Sequence, residues 1–311
     1  METMSADPTN QIRIIEWNDM DKRKFYSFGL FLSMTIRVTV YPTTLIKTRL
    51  QIQRGTSLYN GTFDAFLKIT RQEGIRGLYK GFMVNSIYLI SGQMYITTYE
   101  VSRQQLSGYN NWIKSLVGGG MASLVGQGIS VPIDVVSQHL MLQGQGKDRR
   151  KKLPKERLTF GKAQAVVVEL FRRDGVAGFY RGFFASMLTT IPNSALWWPF
   201  YHFYAEQLAS VAPSYLPHLM LQAVAGPLAA ATANTLTNPM DIVRARLQVE
   251  GGKSIVKKFK QLYVEEGLWG FSKGLSARII GSLPTTFVIV VGYETLKKLS
   301  LRSDLVHTRQ W

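Results

Sequence analysis

The sequence predicts an all-α membrane protein: six transmembrane helices in three tandem two-helix repeats with threefold pseudosymmetry, and a short helix between the odd and even helix of each repeat. Three observations carry that expectation. A proline block occurs three times, as "YPTTLIKTRLQ" from Tyr41, "VPIDVVSQHLM" from Val131 and "NPMDIVRARLQ" from Asn238. A glycine block follows each one, "EGIRGLYKG" at Glu73, "DGVAGFYRG" at Asp174 and "EGLWGFSKG" at Glu266. Charge is also scarce. Hydrophobic residues make up 46% of the chain and charged residues 18%, where soluble domains carry about 25%.

Repeats at a fixed period define the architecture before any local reading. In each repeat an apolar segment runs through the proline, over 25–53, 112–142 and 217–249. Thirteen residues before the proline stands a glycine (Gly29, Gly119, Gly226), and nine before it a small residue (Ser33, Ser123, Ala230). That small-xxx-small spacing lets helices approach closely in lipid. The proline removes one helical hydrogen bond and kinks the segment, so three kinks at one level predict odd helices that converge at one end. A short amphipathic stretch follows, such as "TFDAFLKITRQEG". After the glycine block come further apolar segments at 82–103, 183–209 and 275–299. All six exceed or approach the roughly 20 residues that span a hydrocarbon core. Mean hydropathy is nevertheless only −0.01, which a bundle around a water-filled interior explains, because polar groups inside a membrane face such an interior. A soluble all-helical repeat protein is the alternative. The organisation expected is a tail at 1–24, repeats at 25–107, 112–210 and 217–300, and a tail at 301–311. The insert "QGQGKDRRKKLPKER", within a loop at about 143–158, reads as a solvated basic loop.

Composition limits the function. The net charge of +17 favours anionic solutes or anionic lipid as partners over nucleic acid, because total charge is so low. The chain has no cysteine, which excludes disulfides, thiolate metal sites and cysteine nucleophiles. Its four histidines lack zinc-site spacing. No cofactor loop or nucleophile–base constellation is visible, so no catalytic residue, metal or cofactor is expected. The first 24 residues, with "IIEWNDMDKRK", lack the apolar core of a secretory signal and are too acidic for a typical transit peptide.

The pattern P-x-[DE]-x-x-[KR]-x-[KR] followed by [DE]-G-x4-aromatic-[KR]-G, in three registered copies between Phe25 and Leu299, resembles the signature of the mitochondrial carrier family. The resemblance implies a multi-pass protein of the inner mitochondrial membrane that works by alternating access. In that family the acid of each odd helix pairs with the base of the next, closing a matrix-side ring. Carried onto this sequence, Asp134 pairs with Arg244 and Asp241 with Lys47. The third pair falls on Thr44 and Ser137, so acid and base are absent together. Removing one partner of a buried ion pair costs about 3–5 kcal/mol; removing both leaves two hydroxyls able to bond each other. Gln51 and Gln248 match the family's glutamine brace beneath the ring, while Met141 departs from it. The resemblance also implies a cytoplasmic gate, at "YEVSR" (Tyr99, Glu100, Arg103) and "YETLK" (Tyr293, Glu294, Lys297), with Tyr201 of "YHFYA" in the middle repeat. Glu294 with Arg103 is the one bridge this gate retains; Glu100 faces Ala205 and His202 faces Lys297. The "YKG" and "YRG" turns resemble the family's cardiolipin-binding helix starts, where backbone N–H groups meet phosphate.

The solute site is expected at one level of the bundle. Arg37 lies in an apolar run five residues before Pro42, where contact with lipid would cost several kcal/mol. It is seven residues from Thr44, close to two turns, and so shares its face. A guanidinium grips carboxylate with a two-pronged fork, which makes Arg37 the expected ligand for a substrate carboxylate; internal pairing or snorkelling is the plainer alternative. Gln127 and Asn234 hold the equivalent positions. On the even helices the family's contact points fall at Tyr88 and Leu89, Thr189 and Thr190, Gly281 and Ser282, with Arg278 the nearest base. One arginine among tyrosine, threonine and apolar surface suits a small monocarboxylate with an apolar remainder. A neutral branched amino acid fits, with its ammonium on Gln127, Asn234 or threonine hydroxyls; so does a keto acid, and a non-transporting scaffold is a further alternative. Within the family, stretches such as "IPNSALWWPFYHFYAEQL" and "VIVVGYETLKKLSLR" resemble the carriers of branched-chain amino acids, which implies import of leucine, isoleucine and valine into the matrix. Trp197 and Trp198 are either an apolar wall at the cavity mouth or interfacial anchors. The expected partners are therefore a small amino acid and membrane lipid, cardiolipin foremost, with no nucleic acid, for a chain acting as a monomer.

Overall fold

The computed structural model describes residues 22–55, 57–106, 111–145, 159–212, 218–252 and 254–285. Among these the chain is helical, without strands. The odd long helices are α1 (Lys22–Ile52), α5 (Asn111–Leu142) and α8 (His218–Glu250). The short helices are α2 (Thr62–Glu73), α6 (Thr159–Asp174) and α9 (Ile255–Glu266), each followed by a 3-10 turn. The even helices start after the glycine blocks: α3 (Phe82–Ser86) with α4 (Tyr88–Gln105), then α7 (Phe183–Val211), then α10 over 275–285. The first even segment is thus broken at Ile87 where the sequence predicts continuity. Among the described residues one helix is long and apolar enough to cross a membrane, Ser27–Ile52, with mean hydropathy 1.2. The others are diluted by glycine, serine, threonine and glutamine.

Pro42, Pro132 and Pro239 all lie inside their helices. Pro42 leaves the Val38 carbonyl without its helical donor, and the Tyr79 hydroxyl of the first glycine block donates to it at 3.1 Å. The same block turns the chain at Gly81, which is left-handed with φ +81. A Cβ there would lie 2.9 Å from the Ser137 carbonyl oxygen, so glycine serves both conformation and close approach. Gly182 packs likewise against the Arg244 carbonyl and Gly274 against that of Lys47. These three carbonyls each stand five residues past a motif proline. Repeat 1 therefore seats on repeat 2, repeat 2 on repeat 3 and repeat 3 on repeat 1, which closes the bundle cyclically.

Two fastenings reinforce the seams. Helix C-termini leave carbonyls without helical donors. Arg49 Nε donates to Met141 O at 2.8 Å and Lys80 Nζ to Gln143 O at 2.7 Å, both at the end of α5. Arg246 Nε donates to Gln51 O at 3.1 Å and Lys273 Nζ to Gln53 O at 2.9 Å, at the end of α1. Glu73 binds Arg49 through both oxygens (2.8 and 3.0 Å) and Lys80 at 2.6 Å; Glu266 binds Arg246 at 2.8 Å and Lys273 at 2.5 Å. Burial alone would raise both carboxyls, but the hydrogen bonds from these bases hold them below the ordinary carboxylate range. The middle repeat differs: His139 stands at the arginine position and turns Nδ1 to Val135 O in its own helix, while Arg181 pairs with Asp174 and packs on Gly251.

Apolar residues are fully buried around the prolines, as with Leu45, Ile46, Val131, Val135, Ile242 and Val243. Other large ones face outward, both on the long helices, as with Phe31 (73% exposed), Ile90 and Met220, and around the short ones, as with Val264 and Trp269. Exposed apolar surface of this extent marks contact with a membrane or a partner.

Candidate functional site

Arg37 is held across the first repeat. Nη1 donates to Asn85 Oδ1 at 2.8 Å and to Asn85 O at 3.3 Å, and the guanidinium carbon lies 5.0 Å from the centroid of the Tyr88 ring, within cation–π range. The same level is coupled in the other repeats. Ser186 Oγ donates to Gln127 Oε1 at 2.7 Å, and Arg278 Nη1 to Asn234 O at 3.0 Å. Each contact joins the residue five before the proline to the residue four after the left-handed glycine. Sequence reasoning missed Asn85 and Ser186, although the register of the glycine blocks aligns them with Arg278.

Above this level lies a cavity of about 650 Å³, in the usual range for small ligands. Arg37, Tyr88, Leu89, Gln127 and Thr190 line it beside the apolar Leu30, Ile36 and Val40. Below lies a polar chamber of about 250 Å³, lined by Lys47, Gln51, Asp134, Ser137, Asp241, Arg244 and Gln248. Arg37, Thr44, Asn85 and Tyr88 line both spaces and form their boundary.

The other predicted contacts do not line the larger cavity. Thr189 is buried and donates to Ala185 O; Ser282 donates to Ile279 O. Asn234 accepts from Asn193, and Arg278 is drawn to α8, also donating to Thr237 Oγ1 at 3.0 Å. A Cβ on Gly281 would lie 2.6 Å from Thr43 Oγ1, so this glycine is a packing point of α10 on α1.

In the chamber, Lys47 Nζ lies 2.6 Å from Asp241 Oδ2, and Arg244 pairs with Asp134. Gln51 Nε2 donates to Asp241 Oδ2 at 2.9 Å, and Gln248 Oε1 accepts from Gln138 Nε2 at 2.6 Å. Met141 instead joins the apolar cluster of Leu45 and Ile46. Thr44 and Ser137 face the same chamber but are not bonded to each other: Thr44 Oγ1 donates to Val40 O at 3.5 Å and Ser137 Oγ to Asp134 O at 3.2 Å. A helical hydroxyl has a carbonyl three or four residues back within reach, and that local acceptor prevails over the cross-helix partner. Both carboxylates of the chamber are thus paired, Asp134 with Arg244 and Asp241 with Lys47 and, at 3.9 Å, with Arg278, whereas Arg37 is held by Asn85 oxygens and the Tyr88 ring.

At the opposite end, Tyr99, Glu100 and Arg103 lie on α4, where the side chains of Glu100 and Arg103 are outside the described residues. Tyr201 on α7 stacks on Trp197 with centroids 5.1 Å apart. Tyr293, Glu294 and Lys297, and with them the expected Glu294–Arg103 bridge, are outside the described residues, as are 146–158 of the basic loop.

Three stretches, 24–110, 108–211 and 217–304, match the family described as Mitochondrial carrier protein. The chain belongs to the mitochondrial carrier family, whose members are transporters of mitochondrial membranes. It is 59% identical over 308 residues to "Solute carrier family 25 member 44" of Homo sapiens and of Mus musculus, covering 96% of this chain and 98% of each relative. It is 29% identical over 334 residues to "Mitochondrial substrate carrier family protein J" of Dictyostelium discoideum, covering 93% and 94%.

Proposed function

We propose that the chain is a six-helix protein of the inner mitochondrial membrane that imports leucine, isoleucine and valine into the matrix by alternating access. The observation that carries this reading is Arg37, a guanidinium held by Asn85 and the Tyr88 ring rather than by a carboxylate, at the floor of a cavity walled by Leu30, Ile36, Val40 and Leu89. A single cation recognises one carboxylate, and the wall suits an aliphatic remainder; a nucleotide or dicarboxylate would ask for more bases. Lys47–Asp241 and Asp134–Arg244, braced by Gln51 and Gln248, serve as the matrix gate, with Thr44 and Ser137 as its uncharged third member. Tyr99, Glu100, Arg103, Tyr201, Tyr293, Glu294 and Lys297 form the cytoplasmic gate. Cardiolipin at the even-helix starts is supported by the hollow at Gly182, lined by Arg181 and Ser254.

Purified protein in liposomes tests the reading. Labelled leucine and valine are expected to accumulate, and Arg37→Ala to reduce uptake more than tenfold at equal protein incorporation. Transport of another solute, with leucine and valine ignored in a competition panel, overturns the assignment.

A further inference from the structure

We infer that the chamber below Arg37 is the ammonium subsite of an α-amino acid, with Thr44 Oγ1 and Ser137 Oγ as its acceptors. The inference rests on the proposed reading of the cavity as a carboxylate site. The Ser137 hydrogen is committed to its own helix at Asp134 O, 3.2 Å away, while Thr44 Oγ1 stands 3.5 Å from Val40 O, which already accepts from Thr43 Oγ1 at 2.7 Å; both hydroxyl oxygens keep lone pairs for the chamber they line. A hydroxyl that has spent its hydrogen offers only lone pairs to the space it faces. Gln138 lines the same chamber, and its Oε1 is buried without a hydrogen-bond partner. Acceptors gathered in this way match a group that only donates, and an ammonium has three N–H bonds and no acceptor.

The register matches the head group of an amino acid. Gly81 marks the level of Ser137, because its Cβ position lies 2.9 Å from the Ser137 carbonyl. Asn85 stands one helical turn further along the chain, about 5–6 Å away, and holds the Arg37 guanidinium at that height. A carboxylate on Arg37 therefore leaves the neighbouring ammonium directed at Thr44 and Ser137, while the side chain rises into the larger, apolar cavity. Had the third ion pair been present, its charged side chains would occupy this space. Its absence is thus the vacancy that admits the substrate's own charged group. Gln127, Asn234 and Thr189 suit the ammonium less well: Gln127 already accepts from Ser186, Asn234 from Asn193, and Thr189 is buried against Ala185.

Calorimetry on the purified full chain tests this, comparing leucine with 4-methylpentanoate, which has the same carboxylate and side chain but no ammonium. Hydrogen bonds to a charged group correspond to about ten- to a hundredfold in affinity. The wild-type protein is expected to prefer leucine by that margin, and Ser137→Ala to narrow the preference about tenfold by weakening leucine. Equal affinity of the wild type for the two ligands overturns the subsite and leaves the carboxylate reading standing, and this arm needs no variant to fold. Equal weakening of both ligands by Ser137→Ala likewise overturns it. A chain that binds neither ligand, nor any other neutral α-amino acid, overturns the subsite together with the reading on which it rests.

Discussion

Arg37 illustrates how far single residues are legible. Its presence in an apolar run signals an inward-facing charge, but its partner Asn85 gives no signal of its own, because an asparagine near a helix start is an ordinary cap or turn residue. Asn85 holds the guanidinium, and Asn85→Ala is expected to raise KM for the substrate about tenfold while kcat changes little, as measured by initial uptake rates. The Thr44–Ser137 hydrogen bond that the sequence allows is not formed, since nothing in a sequence ranks a cross-helix acceptor against the carbonyl one turn back. Glu266 makes a pH prediction. Its carboxyl is held below the ordinary range in the fold, because the bonds from Lys273 and Arg246 outweigh burial. The unfolded chain regains the ordinary value, so the stability Glu266 contributes is present above that value and is lost as pH falls through the depressed one. Glu266→Gln is expected to lower stability near neutrality and to flatten the acid limb of a thermal-unfolding profile.

At the scale of elements, the odd helices start and stop within a few residues of the expected segments, since proline, glycine and apolar runs are local signals. The break at Ile87 was not legible, because no proline or glycine sits there. Gly81 is a sharper case. Both its positive φ and its approach to the Ser137 carbonyl exclude a side chain, and Gly81→Ala is expected to cost about 1–3 kcal/mol, read as a lowered Tm in detergent. The middle repeat offers the reverse experiment. His139 occupies the place where Arg49 and Arg246 cap neighbouring helix ends, and Asp174 is one methylene shorter than Glu73 and Glu266. The double change His139→Arg with Asp174→Glu is expected to supply the missing clasp to α8 and raise stability by about 1–2 kcal/mol, with Tm again the measure.

For the whole molecule, cyclic closure was legible as three registered blocks, but the inequality of the seams was not. It depends on side chains from different repeats meeting across space. The seam between repeats 1 and 2 has the capping bonds of Arg49 and Lys80 but no ion pair at Thr44 and Ser137. The seam between repeats 2 and 3 has Asp134–Arg244 but His139 in place of the capping arginine. The seam between repeats 3 and 1 has both, Lys47–Asp241 and the Arg246 and Lys273 caps. The absence of cysteine from the sequence makes the proposed alternating access directly testable. Gln127→Cys, in the larger cavity, is expected to react with a water-soluble maleimide, whereas Gln248→Cys, at a fully buried position, is expected to react only while transport is under way.

The fully fastened seam also has a consequence for how the protein is made. It joins the earliest and the latest made of the three repeats, and it is the one junction between repeats that no direct connection of the polypeptide links. The end of α1 emerges early, yet its carbonyls at Gln51 and Gln53 receive their donors only when Arg246 and Lys273 have been translated. A nascent chain thus holds an unfinished edge until the third repeat arrives, and the ring closes only then.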